Sequence, residues 1–310
     1  MPPVEPQLAQ LQNPFLRYFA ATRPAFLSAS LVAALLGLAS AHSTGIALQP
    51  WLATVTVLFA VLAHAGANVL NDYYDALNGT DAQNTERVFP FTGGSRFIQN
   101  GVLTTGQTAR FGFALMGVVA LAGLWLMQQS AAQLWQIGLA GLLIGWAYSA
   151  PPLRLNSRGW GEACITAGFL LIVIGSDFVQ RKQFDLAPVW AGLPYALLAT
   201  NLLYINQFPD RSADTAAGKL HWVARLDIAT ARWGYLLIAT AAYCSLLAGV
   251  LTHALPLLAL LGLLAAPLSL QAFVQLLQHA EQPTQLAPAI QRTIGAMLLN
   301  GVLVSSTLFW

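Results

Sequence analysis

Apolar residues fill nine stretches of this chain, each long enough to form a helix across a bilayer, and short polar stretches separate them. A helix needs about 20 predominantly apolar residues to cross the hydrocarbon core. The pattern therefore predicts an all-α membrane protein. Its nine membrane-spanning helices are predicted near residues 25–41, 50–71, 108–128, 132–150, 161–180, 187–206, 233–251, 254–275 and 289–309. The eighth span is the least regular, because Pro256 and Pro267 interrupt it.

Composition agrees with this pattern. Hydrophobic residues make up 56% of the chain and charged residues only 8%, whereas an ordinary soluble domain has roughly 25% charged residues. The net charge of +2 is too small to indicate a nucleic-acid partner. Cys164 and Cys244 fall in apolar stretches without a CxxC pair, so we interpret both as small buried side chains and not as zinc ligands or a disulfide.

The residues before the first span are polar. Residues 1–14 contain Glu5 and several Gln residues, and they lack the basic segment, apolar core and small-residue cleavage site of a signal peptide. We therefore expect a polar N-terminal tail within a single integral-membrane domain, residues 1–310.

Basic residues are unevenly distributed between the loops. Cytoplasmic loops of membrane proteins are enriched in Lys and Arg. If the N-terminus is cytoplasmic, nine spans place only Arg181 and Lys182 of the 14 Lys and Arg residues on the far side. This distribution predicts a cytoplasmic N-terminus. We expect the protein to lie in the inner membrane of a bacterium.

Acidic residues concentrate at the predicted ends of the second and sixth helices. The chain has 12 acidic residues. Two short stretches hold five of them, with Asp72, Asp75 and Asp81 in the first and Asp210 and Asp214 in the second. Carboxylates beside a membrane core are costly, so we expect them to serve chemistry.

The two clusters share a spacing. Asn68 precedes Asp72 by four residues, as Asn206 precedes Asp210, which is consistent with a diverged internal repeat. Positions four apart share a helix face, so each helix presents oxygen ligands in a line. Such ligands suit Mg²⁺, which completes its coordination with water and phosphate oxygens. The candidate metal ligands are Asn68, Asp72, Asp75, Asp81, Asp210 and Asp214. Asp81 lies beyond the helix end, where a carboxylate binds a metal or caps a turn.

Basic residues lie in the predicted cytoplasmic loops that follow the second, fourth and sixth helices. They are Arg87, Arg96, Arg154, Arg158, Arg211 and Lys219. Carboxylates, a divalent cation and basic side chains together are typical of a diphosphate-binding site. The positive-inside distribution alone also accounts for most of these basic residues. His64 lies four residues before Asn68, and we interpret it as a structural residue.

These motifs resemble the UbiA superfamily of intramembrane aromatic prenyltransferases. Its signature is an NDxxD-type motif on the second helix and a DxxxD motif on the sixth, matched here by Asn71-Asp72-x-x-Asp75 and Asp210-x-x-x-Asp214. Gly79-Thr80-Asp81 and Gly93-Gly94-Ser95 make the chain most similar to the branch that prenylates 1,4-dihydroxy-2-naphthoate in menaquinone biosynthesis. Similar segments over nearly the whole chain contain Gln99, Gly101, Tyr148 to Arg154, Arg158 to Glu162, Asp214 to Lys219, Arg225 and Arg292-Thr293.

The resemblance implies a function, a cofactor and a site. A polyprenyl diphosphate would bind with two Mg²⁺ ions between the acidic motifs, ionise, and alkylate a small aromatic acceptor by electrophilic aromatic substitution. The implied catalytic residues are Asp72, Asp75, Asp210, Asp214 and Tyr148, whose ring would stabilise an allylic cation. The implied substrate-binding residues are Asn68, Asn71, Arg87, Ser95, Arg96, Gln99, Arg154, Asn206 and Lys219. The expected fold has nine helices around a central cavity, with a cytoplasmic cap from loops 2–3 and 6–7.

Two segments depart from the naphthoate pattern. Where that branch has Asn-Asn-x-Arg-Asp, this chain has Asn206-Gln207-Phe208-Pro209-Asp210, and Asp177 stands where an aromatic residue is more familiar. The acceptor is therefore left open, with 4-hydroxybenzoate, homogentisate and a macrocycle alcohol as alternatives. A lipid-modifying phosphotransferase would use the same Mg²⁺ and diphosphate chemistry, and a cation-coupled transporter would also bury carboxylates. The sequence sets neither the prenyl chain length nor the oligomeric state.

Overall fold

The computed structural model describes residues 4–310, so the first three residues of the predicted polar tail lie outside the described part. Within residues 4–310 all regular secondary structure is helical. The α-helices are α1 (Pro14–Ala21), α2 (Pro24–Ser43), α3 (Pro50–Asn78), α4 (Thr80–Gln83), α5 (Thr105–Gln129), α6 (Leu134–Ser149), α7 (Gly161–Arg181), α8 (Ala187–Ala216), α9 (Trp222–Arg225), α10 (Ile228–Leu251), α11 (Ala266–His279) and α12 (Ala287–Leu308). The 3-10 helices are Leu155–Arg158, Leu257–Ala265 and Pro283–Gln285.

Seven helical segments of the described chain are long and apolar enough to span a membrane. They are α2, α3, α5, α7, α8, α10 and the continuous segment Leu257–His279. Each coincides with a predicted span, and together they confirm an all-α integral membrane protein. α6 has only 16 residues, and α12 is not among the seven. The count of nine spans and the cytoplasmic N-terminus therefore stay predictions.

The eighth predicted span begins irregularly. Leu257–Ala265 forms a 3-10 helix of nine residues, although 3-10 runs longer than three or four residues are uncommon. Pro256 precedes it, and Pro267 lies in the first turn of α11. Proline has no backbone N–H and is tolerated in the first turn of an α-helix, which agrees with α-helix beginning at Ala266.

α3 and α8 continue beyond their apolar parts. Their predicted ends were residues 71 and 206, whereas the structure extends them to residues 78 and 216. α3 stops where Gly79 adopts a φ of +81°, a left-handed conformation that glycine reaches without steric cost. Hydropathy marks only the apolar part of a helix, while backbone hydrogen bonds continue through the polar residues. Both acidic motifs therefore lie on helices.

α8 is the central helix of the bundle. It has the largest buried fraction of the seven spans and packs against α2, α7, α10 and α12. Tyr195, Leu198 and Ile205 on α8 are fully buried, and the Tyr195 hydroxyl donates a hydrogen bond of 2.8 Å to the Ala29 carbonyl. α3 packs against α2, α5 and α7.

The two cysteines differ in exposure. Cys164 on α7 is buried, as predicted, but Cys244 on α10 is exposed. The prediction that both are buried is wrong for Cys244, because α10 turns most of its surface away from the bundle.

Three segments meet where α3 and α8 end. The connection after α3, residues 79–104, contains α4, which contacts α8. The connection after α8, residues 217–227, contains α9. From the N-terminal segment, Glu5 forms an ion pair of 2.6 Å with Arg87. That the two connections form a cytoplasmic cap stays a prediction.

Candidate active site at the ends of α3 and α8

The carboxylates of both acidic motifs lie on the last turns of α3 and α8. Asp72 and Asp75 are on α3, and Asp210 and Asp214 are on α8. All except Asp210, which is half-buried, are buried. Because positions three or four apart share a helix face, each helix presents its pair of carboxylates to the same neighbourhood.

Two polar contacts join the motifs across long sequence separations. The Nζ atom of Lys219 lies 3.2 Å from Oδ2 of Asp75 and 3.5 Å from Oδ1 of Asp214. The side-chain amide of Asn84 donates a hydrogen bond of 2.5 Å to Oδ1 of Asp210. One polar centre thus forms where α3 and α8 end and their following connections meet. We call it the carboxylate centre, and it comprises Asp72, Asp75, Asp81, Asp210, Asp214 and Lys219.

A glycine-rich segment packs directly against the carboxylate centre. The backbone N–H of Ser95 donates to Oδ1 of Asp72 at 3.2 Å. Gly94 has a φ of +71°, and a Cβ atom on it would collide with the Asp81 carboxylate. The Arg96 guanidinium donates to the main-chain oxygen of Asp81. A larger residue at position 94 would therefore displace Asp81.

A cavity of about 1370 Å³ opens beside the carboxylate centre. Pockets for drug-sized ligands are about 300–1,000 Å³, so this cavity suits a larger molecule. One part is lined by Asp75, Asp81, Asp210, Asp214 and Lys219. Most of the remaining lining is apolar and includes Phe59, Met116, Leu142, Phe169 and Ile172. A ligand with a charged head and a long apolar tail matches this arrangement.

The predicted site residues divide into those that line the cavity and those that do not. The lining residues are Asn68, Asn71, Asp75, Asp81, Ser95, Tyr148, Asn206, Asp210, Asp214 and Lys219. The others are Asp72, Arg87, Arg96, Gln99 and Arg154. Asp72 is buried behind the lining, where Ser95 holds it, whereas Arg154 is exposed. The roles assigned to all these residues from the sequence stay predictions.

Arg87 and Arg96 are engaged by the protein itself. Arg87 donates to Oε1 of Glu5 at 2.7 Å and to the main-chain oxygen of Asn84 at 2.5 Å. Arg96 lies 3.7 Å from Oε2 of Glu5. Burial raises the pKa of Glu5, but hydrogen bonds from Asn100 and Arg87 outweigh burial and hold the pKa below its usual range. In this structure both arginines tie the N-terminal segment to the connection after α3.

Asn68 and Asn206 have equivalent places on α3 and α8. The Asn68 amide donates to the Thr22 carbonyl at 3.2 Å, and the Asn206 amide donates to the Phe91 carbonyl at 3.4 Å. Within residues 4–310, the Oδ1 atom of each accepts no hydrogen bond. Both residues line the cavity, so both oxygens are available to a ligand.

Carboxyl groups outnumber basic side chains at the carboxylate centre. Burial raises the pKa of Asp81, and the neighbouring Asp75 and Asp72 add to this effect, so the pKa lies well above its usual range. Burial lowers the pKa of Lys219, but Asp214 and Asp75 outweigh burial and raise the pKa well above its usual range. Lys219 is therefore charged at neutral pH, and the surrounding carboxylates favour additional cations.

The oxygen donors of this centre fit a hard divalent cation that is shared with a phosphate group. Asp81 Oδ2, Asp214 Oδ1 and Asn206 Oδ1 are buried without a hydrogen bond in the described chain. Among the described residues, no three His, Cys, Asp or Glu side chains form a group that would hold a metal ion alone. Mg²⁺ binds one or two carboxylates, keeps several waters and takes further oxygens from phosphates. The centre supplies the protein's share of such a coordination shell.

The two departures from the naphthoate pattern add no charge to the cavity. Asp177 forms a two-point ion pair with Arg181, with Nε–Oδ1 and Nη2–Oδ2 distances of 2.6 and 2.7 Å. Both side chains are buried, and neither lines the cavity. Pro209 lies inside α8, which continues through it. Where the resemblance leads us to expect an arginine, position 209 thus holds a proline, which cannot contact phosphate through charge.

Three further residues lie near the site, two of which the sequence does not indicate and one of which, His64, it suggests is structural. His221 places Nε2 3.0 Å from Oδ2 of Asp214, and Asn84 is bonded to the carboxylate centre. His64 lines the cavity, with Nδ1 2.7 Å from the Ser30 hydroxyl oxygen. The position of His64 on the same face of α3 as the acidic motif signals this placement. No local sequence pattern signals the positions of His221 and Asn84.

The chain is similar to known proteins along most of its length. The model of the UbiA prenyltransferase family matches residues 30–294. The 1,4-dihydroxy-2-naphthoate octaprenyltransferase of Mycobacterium tuberculosis is 30% identical over 269 residues, which cover 83% of this chain and 85% of that protein. The 2-carboxy-1,4-naphthoquinone phytyltransferase of Synechocystis is 26% identical over 298 residues, which cover 94% and 93%. A solved structure of a UbiA homolog from Archaeoglobus fulgidus bound to DMAPP and Mg²⁺ has a similar fold, with a TM-score of 0.58, 15% identity and coverage of 93% of this chain and 99% of that chain.

Proposed function

Because this chain belongs to the UbiA prenyltransferase family, we propose that it transfers the prenyl group of a polyprenyl diphosphate to 1,4-dihydroxy-2-naphthoate in an Mg²⁺-dependent reaction. The chain is a prenyltransferase and an integral membrane protein. The observation that carries the proposal is the cavity, whose lining combines carboxylates of both acidic motifs and Lys219 with a large apolar wall.

The diphosphate would bind at the carboxylate centre. The residues that would hold two Mg²⁺ ions there are Asn68, Asp72, Asp75, Asp81, Asp210 and Asp214. When bound, Mg²⁺ neutralises the charge that develops on the departing diphosphate. Lys219 adds a fixed positive charge at the same place, because Asp75 and Asp214 already hold its Nζ atom. A charge held in position needs little reorganisation during the reaction.

The apolar wall of the cavity would hold the isoprenoid tail and exclude water. Burial of apolar surface stabilises by about 0.8 kcal/mol for each CH₂ group. Exclusion of water protects an allylic cation from capture before the acceptor reacts. Tyr148 lines the cavity and also borders a small chamber with Asp214 and Lys219. Its ring therefore lies near the carboxylate centre, where a cation–π contact would act.

The acceptor ring would attack the first carbon of the prenyl chain. A C–C bond forms to the ring, and the allylic C–O bond breaks with its electron pair leaving on the diphosphate. The ring regains aromaticity by losing a proton, or CO₂ where the attacked carbon carries a carboxylate. Two relatives named for naphthoate-type substrates, each aligned over most of its length, support a bicyclic acceptor.

The orientation of the site is part of the proposal. The carboxylate centre lies at the same end of the bundle as Arg87, Arg96 and Lys219, whereas Arg181 and Lys182 end α7 at the opposite side. Since positive charge concentrates on the cytoplasmic side, this arrangement supports a site that faces the cytoplasm. We propose a bacterial inner membrane as the location of the protein.

Prenyl transfer in membranes that contain the protein tests the proposal. A labelled polyprenyl diphosphate is offered with 1,4-dihydroxy-2-naphthoate, 4-hydroxybenzoate or homogentisate, in Mg²⁺ or in chelator. We expect Mg²⁺-dependent transfer to dihydroxynaphthoate, which Asp75→Asn and Asp210→Asn abolish. Asp185→Asn is the matched control, because Asp185 is exposed at the opposite end of the bundle, and it should keep full activity.

Two results would contradict different parts of the proposal. If the folded protein bound Mg²⁺ but neither released diphosphate nor alkylated any acceptor, the proposed reaction would be wrong. Transfer to another acceptor, with dihydroxynaphthoate left unmodified, would keep the reaction and overturn the substrate.

A further inference from the structure

His221 lies beside the carboxylate centre and uses both ring nitrogens. His221 is only 1% exposed. Nδ1 accepts a hydrogen bond of 3.2 Å from the Ala224 N–H, which also reaches the His221 carbonyl, so His221 is the N-cap of α9. Nε2 lies 3.0 Å from Oδ2 of Asp214. Because Nδ1 accepts, this hydrogen-bond network assigns the ring proton to Nε2, and the Nε2–H group donates a hydrogen bond to Oδ2 of Asp214.

The two oxygens of Asp214 therefore have different surroundings. His221 holds Oδ2, whereas Oδ1 faces Lys219 Nζ at 3.5 Å and accepts no hydrogen bond in the described chain. Asp214 also lines the cavity. The carboxylate cannot turn about its last torsion without breaking the bond to His221. His221 thus fixes which oxygen of Asp214 is left for a ligand.

The other carboxylates of the centre are held by different groups. Asp72 accepts from the Ser95 N–H, Asp75 from the amides of Asn71 and Asn78, and Asp210 from the amide of Asn84. These donors belong to α3 or to the connection that follows it, and Asp75 also accepts from Lys219 Nζ at 3.2 Å, in the connection after α8. Asp214, by contrast, is held through His221 by the N-terminus of α9 in the connection after α8. Displacement of this histidine would therefore affect one carboxylate selectively.

We propose that His221 is a positioning residue, which orients Asp214 for a divalent cation at the carboxylate centre. The inference rests on the proposed function, because it takes Mg²⁺ as part of the reaction. Removal of a hydrogen-bond partner behind a metal ligand typically lowers metal affinity or activity by 10- to 100-fold. Loss of the His221 donor should therefore weaken Mg²⁺ binding, with little effect on turnover once Mg²⁺ is saturating.

Two substitutions separate the cap from the bond to Asp214. In His221→Asn, the amide oxygen takes the place of Nδ1 and keeps the cap, since Asn is a favoured N-cap residue, but the short side chain does not reach Asp214. In His221→Gln, the longer side chain brings its amide nitrogen to the place of Nε2. This variant keeps the donor to Asp214 and loses the cap acceptor.

The test combines metal binding with activity. Mn²⁺ binding to the purified protein in detergent, with inorganic pyrophosphate present, is followed by electron paramagnetic resonance. The Mg²⁺ concentration that gives half-maximal prenyl transfer is measured in parallel. For His221→Asn we expect at least about 10-fold weaker Mn²⁺ binding and a matching rise in the Mg²⁺ requirement. Its turnover at saturating Mg²⁺ and its unfolding temperature should stay near those of the wild type, and His221→Gln should bind Mn²⁺ like the wild type.

Wild-type Mn²⁺ affinity in His221→Asn would overturn the inference. Equal losses of Mn²⁺ affinity in His221→Asn and His221→Gln would also overturn it, because they would indicate a role in capping or packing and not in holding Asp214. If His221→Asn does not fold, His221→Ser keeps a cap oxygen and carries the same expectations. A wild-type protein that binds Mn²⁺ with pyrophosphate but transfers no prenyl group would contradict the proposed function. In that case the Mn²⁺ affinities of the variants would still decide the role of His221.

Discussion

Replacement of Lys219 by Met should lower the free energy of unfolding of the Mg²⁺-free protein by about 3–5 kcal/mol. The Nζ atom lies 3.2 Å from Asp75 and 3.5 Å from Asp214. At an effective dielectric constant of about 20, each attraction amounts to roughly 5 kcal/mol. Desolvation of the ammonium group offsets much of this, and the loss of one partner from a buried pair typically costs 3–5 kcal/mol. Met keeps an unbranched side chain that is one atom shorter than that of Lys, so the substitution reports mainly on charge.

The assay is unfolding of the purified protein in detergent, with chelator or with Mg²⁺. Lys182 is the only other lysine of the chain and is exposed beyond α7, so Lys182→Met should change stability by no more than about 0.5 kcal/mol. Mg²⁺ should stabilise Lys219→Met more than the wild type, because a bound cation replaces the missing charge beside Asp75 and Asp214. Ligand at 100 times its dissociation constant adds about 2.7 kcal/mol.

Two results would refute this reasoning. If Lys219→Met were as stable as the wild type in chelator, Lys219 would not be the counter-charge of the centre. If Mg²⁺ stabilised both proteins equally, the cation would bind away from Lys219.

Two further predictions concern the connection after α3 and the N-terminal segment. Gly94→Ala should lower prenyl transfer by at least about 10-fold more than the control Gly101→Ala. Gly101 has a similar φ of +67°, but an added Cβ there meets nothing within 4 Å, whereas an added Cβ on Gly94 meets Asp81. Similar activities of the two variants would contradict the collision with Asp81. The pKa of Glu5 is lowered on folding, so its stabilising contacts are complete above its unfolded-state pKa and are lost as pH falls through the folded value. Limited proteolysis should therefore release the N-terminal segment of the wild type only on acidification, and that of Glu5→Gln at every pH. If the wild-type segment were released equally at every pH, Glu5 would not anchor it.

The helix faces of the acidic motifs were predictable because they depend only on local spacing. Asp72 and Asp75, like Asp210 and Asp214, are three or four residues apart, and the helical period places such pairs on one face whatever the tertiary structure. The lengths of α3 and α8 were underestimated, since an apolar run ends before the helix does. Residue types and spacing therefore located the carboxylate centre without giving its internal contacts.

Contacts between each connection and the acidic motif of the other helix could not be predicted from the sequence. Asn84 reaches Asp210 across 126 residues, and Lys219 reaches Asp75 across 144. Such pairs depend on how α3 and α8 pack, and irregular segments carry no period from which a direction can be read. The sequence therefore offered Lys219 as a phosphate ligand but did not show that it also joins the two acidic motifs.

The polarity of the cavity wall favours prenyl transfer over cation transport. A transporter needs polar groups or water along the path of its ion. The carboxylates here line one part of the cavity, whereas the wall formed by α5, α6 and α7 includes Met116, Leu142 and Ile172. A charge in such surroundings costs several kcal/mol, while one five-carbon isoprene unit is stabilised there by up to about 4 kcal/mol. The same surface therefore opposes an ion and retains an isoprenoid chain, and each added isoprene unit strengthens that preference until the chain fills the cavity.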